Sequence, residues 1–316
     1  MRNCSGCGSP GSALSSVVEF KTLIDAASLG TLLGAPRPAF SLVVLDCRFD
    51  LAAPEAGGRA YLAGHIPSAR YVDLNRDLSD PVSAGSGRHP LPAPPRLAAR
   101  FRALGIREHS QVVVYDEANG SFAARAWWLL RWLGQFRAAV LDGGLQAWRA
   151  AGGSLESGGS LAGGSPAAGP PDASLSDPPG PVPRVDPRAV VTSAELLDIL
   201  EGGRHLLVDA RAAERFAGAV EPIDPVAGHV PGAVNQPFSA NLAADGRFLP
   251  APELERRWRE RLNGVPPADT IAMCGSGVTA CHNLLAMEIA GLRGARLYAG
   301  SWSEWIRDPR RPVARG

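Results

Sequence analysis

Lysine is almost missing from this sequence of 316 residues: Lys21 is the only one, and arginine carries the rest of the basic charge. That preference reads as GC-rich coding rather than as a binding surface. The 32 basic residues stand against 31 acidic ones, a formal charge of +1. Neither sign is in excess, so nothing here draws in nucleic acid or an anionic membrane. Long apolar runs are missing too; no stretch of 18 such residues exists, which excludes a membrane-spanning helix. No apolar run follows Arg2 in the opening MRNCSGCGSPGS, so a secretory signal is not expected and a cytoplasmic protein is. Five cysteines are too few for a disulfide scaffold, and any cysteine that matters should matter through its chemistry.

What is present is a repeat. LVVLDCR at 42–48 returns as HLLVDAR at 205–211, and AGHIPSA at 63–69 returns as AGHVPGA at 227–233. VVVYDE at 112–117 matches TIAMCGSG at 270–277, and DGGLQAW at 142–148 matches AGSWSEW at 299–305. The order is the same and the separation stays near 160 residues, so the chain is read as a duplication. Between the copies, the Gly/Ser/Pro tract from Ala150 to about Pro187 has almost no large apolar residue and reads as a linker. The expected organisation is a first domain over 17–150, a linker over 151–186 and a second domain over 187–312. Residues 1–16 are expected to be disordered.

Within each half, short apolar runs at 42–45, 112–115, 206–208 and 270–273 predict buried strands. Helical patterns at 121–133, 252–261 and 279–290 lie between or after them. Such alternation predicts an α/β fold of two tandem units, each a mostly parallel sheet flanked by helices. In sheets of this kind the site lies beyond the carboxyl ends of the strands. That directs attention to Cys274, immediately after the run TIAM.

The loop reads Cys274, Gly275, Ser276, Gly277, Val278, Thr279, and a helical pattern follows. Two glycines let the turn curl so that successive N–H groups point inward as an anion nest. The helix N-terminus adds partial positive charge, and both effects favour the thiolate, the reactive form of cysteine. The hydroxyls of Ser276 and Thr279 join the same ring. A cysteine phosphatase would need an arginine six positions after the cysteine to clamp phosphate, and that position is Ala280. The surroundings of a papain-like cysteine are also missing. A nest without a phosphate clamp suits a persulfide, whose terminal sulfur is negative. A non-enzymatic binding or regulatory module is the rival reading, although such a module has no use for a thiolate nest.

Together, the GHIP and GHVPGA repeats, the CGSGVT loop and the closing GSWSEW resemble a two-domain rhodanese. The loop is similar to that of the 3-mercaptopyruvate sulfurtransferase branch. The resemblance implies two rhodanese folds with one catalytic cysteine, Cys274, since Asp116 stands at the matching position of the first half. It implies sulfur transfer through a Cys274 persulfide, from 3-mercaptopyruvate or thiosulfate as small-molecule donor to a thiol, a thioredoxin-like protein or cyanide. No metal and no organic cofactor is expected. Arg215 matches the family's substrate arginine, whereas the second arginine expected downstream is replaced by Asp224 and Pro225 in EPIDPVAGHV. His89, in GRHPLP, matches a histidine that reaches towards the site from the first domain, and its acidic partner in the family falls at Asn75. Asp46, Asp209, His65 and His229 recur in both halves, including the silent one, and are read as structural. Cys281 and Cys47 are expected to be packed. Trp302 and Trp305 are candidates for either the cleft wall or the core. Cys4 and Cys7 form a lone CxxC with no second pair to complete a zinc site.

Overall fold

The computed structural model describes residues 19–35, 41–161 and 184–316. Cys4, Cys7, the 1–16 tail and linker residues 162–183 lie outside them. The first half holds β1 (Leu23–Ile24), α1 (Ala26–Gly34), β2 (Leu42–Asp46), α2 (Ala56–Ala63), β3 (Arg70–Tyr71), α3 (Pro94–Ala103), β4 (Gln111–Tyr115), α4 (Ala123–Trp132), β5 (Ala138–Leu141) and α5 (Gly144–Ala150). The second holds α6 (Ser193–Gly202), β6 (Leu206–Asp209), α7 (Ala213–Ala217), β7 (Val234–Asn235), α8 (Ala251–Leu262), β8 (Thr270–Met273), α9 (Thr279–Ile289), β9 (Arg296–Leu297) and α10 (Ser301–Trp305).

All strand pairs are parallel. The first sheet runs β1-β5-β4-β2-β3 and the second β7-β6-β8-β9. Where β1 pairs with β5, the second half makes a single parallel bridge between Val190 and Leu297, so the two orders match. Parallel strands covered on both faces read as continuous apolar runs, which is why β2, β4 and β8 are legible in the sequence.

The alternating side chains of these strands divide the core into layers. Val43, Leu45, Val112 and Val114 face inward, and with Ala272 of β8 and helices α3, α4, α8 and α9 they build one apolar core that runs through both halves. Val44, Val113 and Tyr115 face outward onto α1 and α5, while Ile271 and Met273 face α6 and α10. Helices α4 and α9 pack on each other at the centre, and Ala123 to Leu130 and Ala280 to Met287 are buried throughout. Both are buried along most of their length, polar Arg125 and His282 included, because each packs on the other and on the strands beside it. Helix α8 shows the surface alternative: Leu254, Trp258 and Leu262 are buried, and the other side carries Arg–Glu pairs such as Arg256–Glu260 at 2.7 Å.

Each half closes with a returning segment that the repeats did not reveal. His65 pairs antiparallel with Glu156, and His229 with Ala314. Trp148 Nε1 donates to Ser154 O at 2.8 Å, and Trp305 Nε1 to Pro312 O at 2.9 Å. Residues 152–161, assigned to the linker by composition, therefore pack on the first half. A segment so short of apolar side chains is held by backbone hydrogen bonds, which composition does not register.

Candidate active site

Strand β8 delivers Cys274 to its carboxyl end, where the sulfur is almost fully enclosed. The N–H of Gly277 donates to Cys274 Sγ at 3.1 Å, so an amide of the loop does point at the sulfur. Gly277 sits at φ 77°, and a Cβ there would meet Ala299 O at 2.3 Å; only glycine fits. The loop is clamped from α10. Trp302 N donates to Cys274 O at 3.0 Å, and Ser303 N to Gly275 O at 2.9 Å. Ser301 Oγ accepts from Cys274 N at 3.0 Å and donates to Tyr298 O at 2.9 Å. Ser301 holds φ 53°, a left-handed conformation that costs a serine on the order of 1–3 kcal/mol. Its counterpart Gly144 has φ 56° and carries no such bonds. The second half thus keeps a strained serine where its hydroxyl fastens the cysteine.

In the first half the same turn is filled by the chain's own anion. Asp116 follows β4 and is buried, and its carboxylate accepts from Gly120 N (2.9 Å), Phe122 N (2.9 Å) and Ala123 N (3.1 Å). Burial pushes this carboxyl above the usual range, against the downward pull of those amides. A cavity of about 410 Å³ lies beside it, lined by residues including Arg48, Phe49, Glu117 and Asn119. The amides that could stabilise a sulfur anion are already occupied by oxygen, and the turn itself carries no cysteine.

Helix α9 begins at Thr279, so that residue opens the helix rather than closing the turn, and Val278 beside it is buried. Ser276 Oγ lies 2.8 Å from His89 Nδ1, a contact across 187 residues of sequence. Burial first, then the charges of Arg125 and Arg88, hold the His89 pKa down to about 3, so the ring is neutral near pH 7. No contact joins it to Asn75, whose N–H donates instead to Asp73 Oδ1 at 2.9 Å. Arg215 is partly buried and paired with Glu221 at 2.7 Å and Asp224 at 3.1 Å.

Sequence reasoning missed two arginines. Arg88, beside His89, pairs with Asp224 across the seam, and its N–H donates to Ser303 Oγ at 3.0 Å. Arg125 of α4 is fully buried, and donates to Gly277 O (3.2 Å), His89 O (3.1 Å) and Leu78 O (3.4 Å). Among the described residues no carboxylate lies within ion-pair distance of it. Burial lowers its pKa, and its bonds to the carbonyls of Gly277 and His89 tie it beneath the loop. Position alone could not flag either residue in a chain with so many arginines.

The remaining candidates sit in the framework. Asp46 holds Arg48 at 2.6 Å and Asp209 holds Arg211 at 2.7 Å, both pairs buried. His65 stacks on Tyr61 and His229 on Phe216, with each Nδ1 2.8 Å from the carbonyl of its stacking partner. Trp302 and Trp305 are fully buried in the outer core of the second half and do not wall the cleft. Cys47 and Cys281 are buried free thiols, and burial raises both pKa values.

Comparison with known proteins places the chain in a family. The rhodanese-like domain family matches residues 25–151 and again 192–308. The chain is 51% identical over 296 residues to a protein named "Probable 3-mercaptopyruvate sulfurtransferase" from Pseudomonas aeruginosa, covering 93% of this chain and 98% of that one. It is 33% identical over 280 residues to "Thiosulfate/3-mercaptopyruvate sulfurtransferase 2" of Arabidopsis thaliana, covering 85% and 81%. The crystal structure of SseA from Escherichia coli, described as a 3-mercaptopyruvate sulfotransferase with the rhodanese fold, superposes with a TM-score of 0.71 at 31% identity, covering 90% of this chain and 99% of that one. Two matched copies of one domain and relatives aligned over nearly their full lengths lead to one statement: the chain belongs to the rhodanese family of sulfurtransferases.

Proposed function

We propose that this sulfurtransferase takes sulfur from 3-mercaptopyruvate onto Cys274 and passes it to a thiol, including that of a thioredoxin-like protein, or to cyanide. The observation that carries this reading is the Gly277 amide aimed at Cys274 Sγ at the carboxyl end of β8. In the donor step the Cys274 thiolate attacks the donor's sulfur. An S–S bond forms as the C–S bond breaks, the electron pair leaves on carbon as the enolate of pyruvate, and a proton completes pyruvate. In the acceptor step an acceptor thiolate attacks the outer sulfur, which departs as the acceptor's persulfide while Cys274 returns as thiolate. Both steps are displacements at sulfur that balance without a cofactor.

The loop residues Gly275, Ser276, Gly277, Val278 and Thr279 hold the persulfide, Arg215 orients the donor, and His89 acts through Ser276. The first domain contributes His89 and covers one side of the site, with Asp116 keeping its own turn silent. Free thiols at Cys47, Cys274 and Cys281 suit a reducing, cytoplasmic setting. A thiosulfate-preferring enzyme is the second reading, favoured by the replacement of the downstream arginine by Asp224. Thiosulfate would give the same persulfide and release sulfite.

The test is mass spectrometry after incubation with 3-mercaptopyruvate: one added sulfur atom is expected on Cys274 and none on Cys47 or Cys281. An unmodified Cys274 with no pyruvate released would overturn the proposal. Comparison of kcat/KM for the two donors decides between them, and a large excess for thiosulfate favours the second reading.

A further inference from the structure

Four side chains meet beside Cys274 in an arrangement that the repeats do not foreshadow. Arg88 arrives from the first half on a loop locked to α10; a Cβ on Gly87 would strike Gly300 O at 2.6 Å. Asp224 lies between Arg88 and Arg215, holding one guanidinium with each oxygen, and Glu221 takes the far edge of Arg215. Both cations also converge on the loop itself. A Cβ built on Gly275 would meet Arg88 Nη2 at 2.9 Å and both Arg215 Nη1 and Nη2 at 3.6 Å. Arg88 Nη2 and Arg215 Nη1 donate no hydrogen bond among the described residues, and Arg88 Nε is buried without a partner. Two guanidinium groups with donors to spare therefore face one spot, a single residue from the reactive sulfur.

We propose that Arg88 and Arg215 together form the cradle for the donor's carboxylate, with Asp224 as an internal counter-ion against which that carboxylate competes. The idea rests on the donor reading above and adds to it a residue from the other half. A planar guanidinium presents paired N–H groups that match a carboxylate, and two of them fix both its position and its plane. Asp224 occupies the region where a second arginine is expected, yet by drawing Arg88 across the seam it restores the second cation. With Glu221 it also balances the two positive charges until a donor arrives. Because Arg88 belongs to the first half, the silent domain takes part in donor recognition.

The test separates charge recognition from sulfur transfer by alkylating Cys274 with iodoacetate, which bears a carboxylate, and with iodoacetamide, its neutral isostere. The ratio of the two rates at Cys274 is read by mass spectrometry. In the unmodified protein it should exceed the ratio for a small free thiol. Arg88→Ala should lower the ratio about 10- to 100-fold, the loss of one charge-assisted contact. Arg88→Lys should keep part of it, and Asp224→Asn should raise it. The iodoacetamide rate reports that the site is still folded; an unchanged ratio in Arg88→Ala with that rate intact would overturn the proposal. In turnover, Arg88→Ala should raise KM for 3-mercaptopyruvate by a similar factor with little change in kcat, and raise KM for thiosulfate less. An equal rise for both donors would overturn the assignment to a carboxylate. If no sulfur reaches Cys274 at all, the functional reading fails while the alkylation ratio still decides the cradle.

Discussion

Cys274 and Cys281 stand seven residues apart and are enclosed by the same loop, yet their surroundings divide them. Cys274 Sγ accepts an amide N–H, whereas Cys281 Sγ donates towards Gly277 O at 3.3 Å and burial pushes its thiol up to about 12. At neutral pH Cys281 is a thiol that packs. Cys274→Ser should therefore abolish persulfide formation and thiocyanate production, whereas Cys281→Ser should keep most of both, measured side by side in a cyanide assay. The hydroxyl of Ser301 belongs to the same scale. Ser301→Gly would relieve the strained backbone but leave Cys274 N–H without its acceptor. Activity should fall while the urea midpoint changes little, which kinetics and denaturation of one preparation can show together.

At the scale of the element, the strand–loop–helix unit was readable because each part has its own signature. Strand β8 is a continuous apolar run, the glycines mark the turn, and α9 follows with helical spacing. The two-residue strands β1, β3, β7 and β9 were not readable, since a pair of residues has no period. The same unit in the first half supplies a control. Asp116→Ala would orphan three amides and should lower stability by about 2–4 kcal/mol in urea denaturation, without touching turnover at Cys274. In the second half, Gly277→Ala would place a methyl against Ala299 O and force the loop to shift. Sulfur transfer should drop at least about tenfold, the cost of a loop displaced from its working geometry.

Across the whole molecule the seam between the halves carries buried groups whose ionisation the fold suppresses. His89 and His282 are both held down to about 3 by burial, and His282 spans the seam with Nε2 3.0 Å from Asn119 O. An unfolded chain protonates these rings below about pH 6.5, and the folded chain does so only near 3. Stability is therefore lost as pH falls from about 6.5 towards 3, by about 1.4 kcal/mol per unit for each ring. Asp77, Asp116, Asp142 and Asp224 are shifted upward by burial and act in the opposite sense, gaining stability as acid protonates them. His282→Asn should lose about 2 kcal/mol less between pH 7 and pH 5 than the unmodified protein, by urea denaturation at each pH.

The sequence by itself determined the duplication, the α/β class, the central strands and the cysteine loop proposed to carry the chemistry. Each of those rests on local pattern, where a few neighbouring residues state their own requirement. Only the tertiary structure decided that Arg88 and Arg125 of one half converge on the Cys274 loop of the other, and that residues 152–161 hydrogen-bond back to the first half. Contacts such as Arg125 to Gly277 O join positions 152 residues apart, and nothing in either stretch encodes its partner. They follow from two helices, α4 and α9, whose buried faces pack on each other across the seam. That packing brings the two halves together and completes the site in the second with side chains of the first.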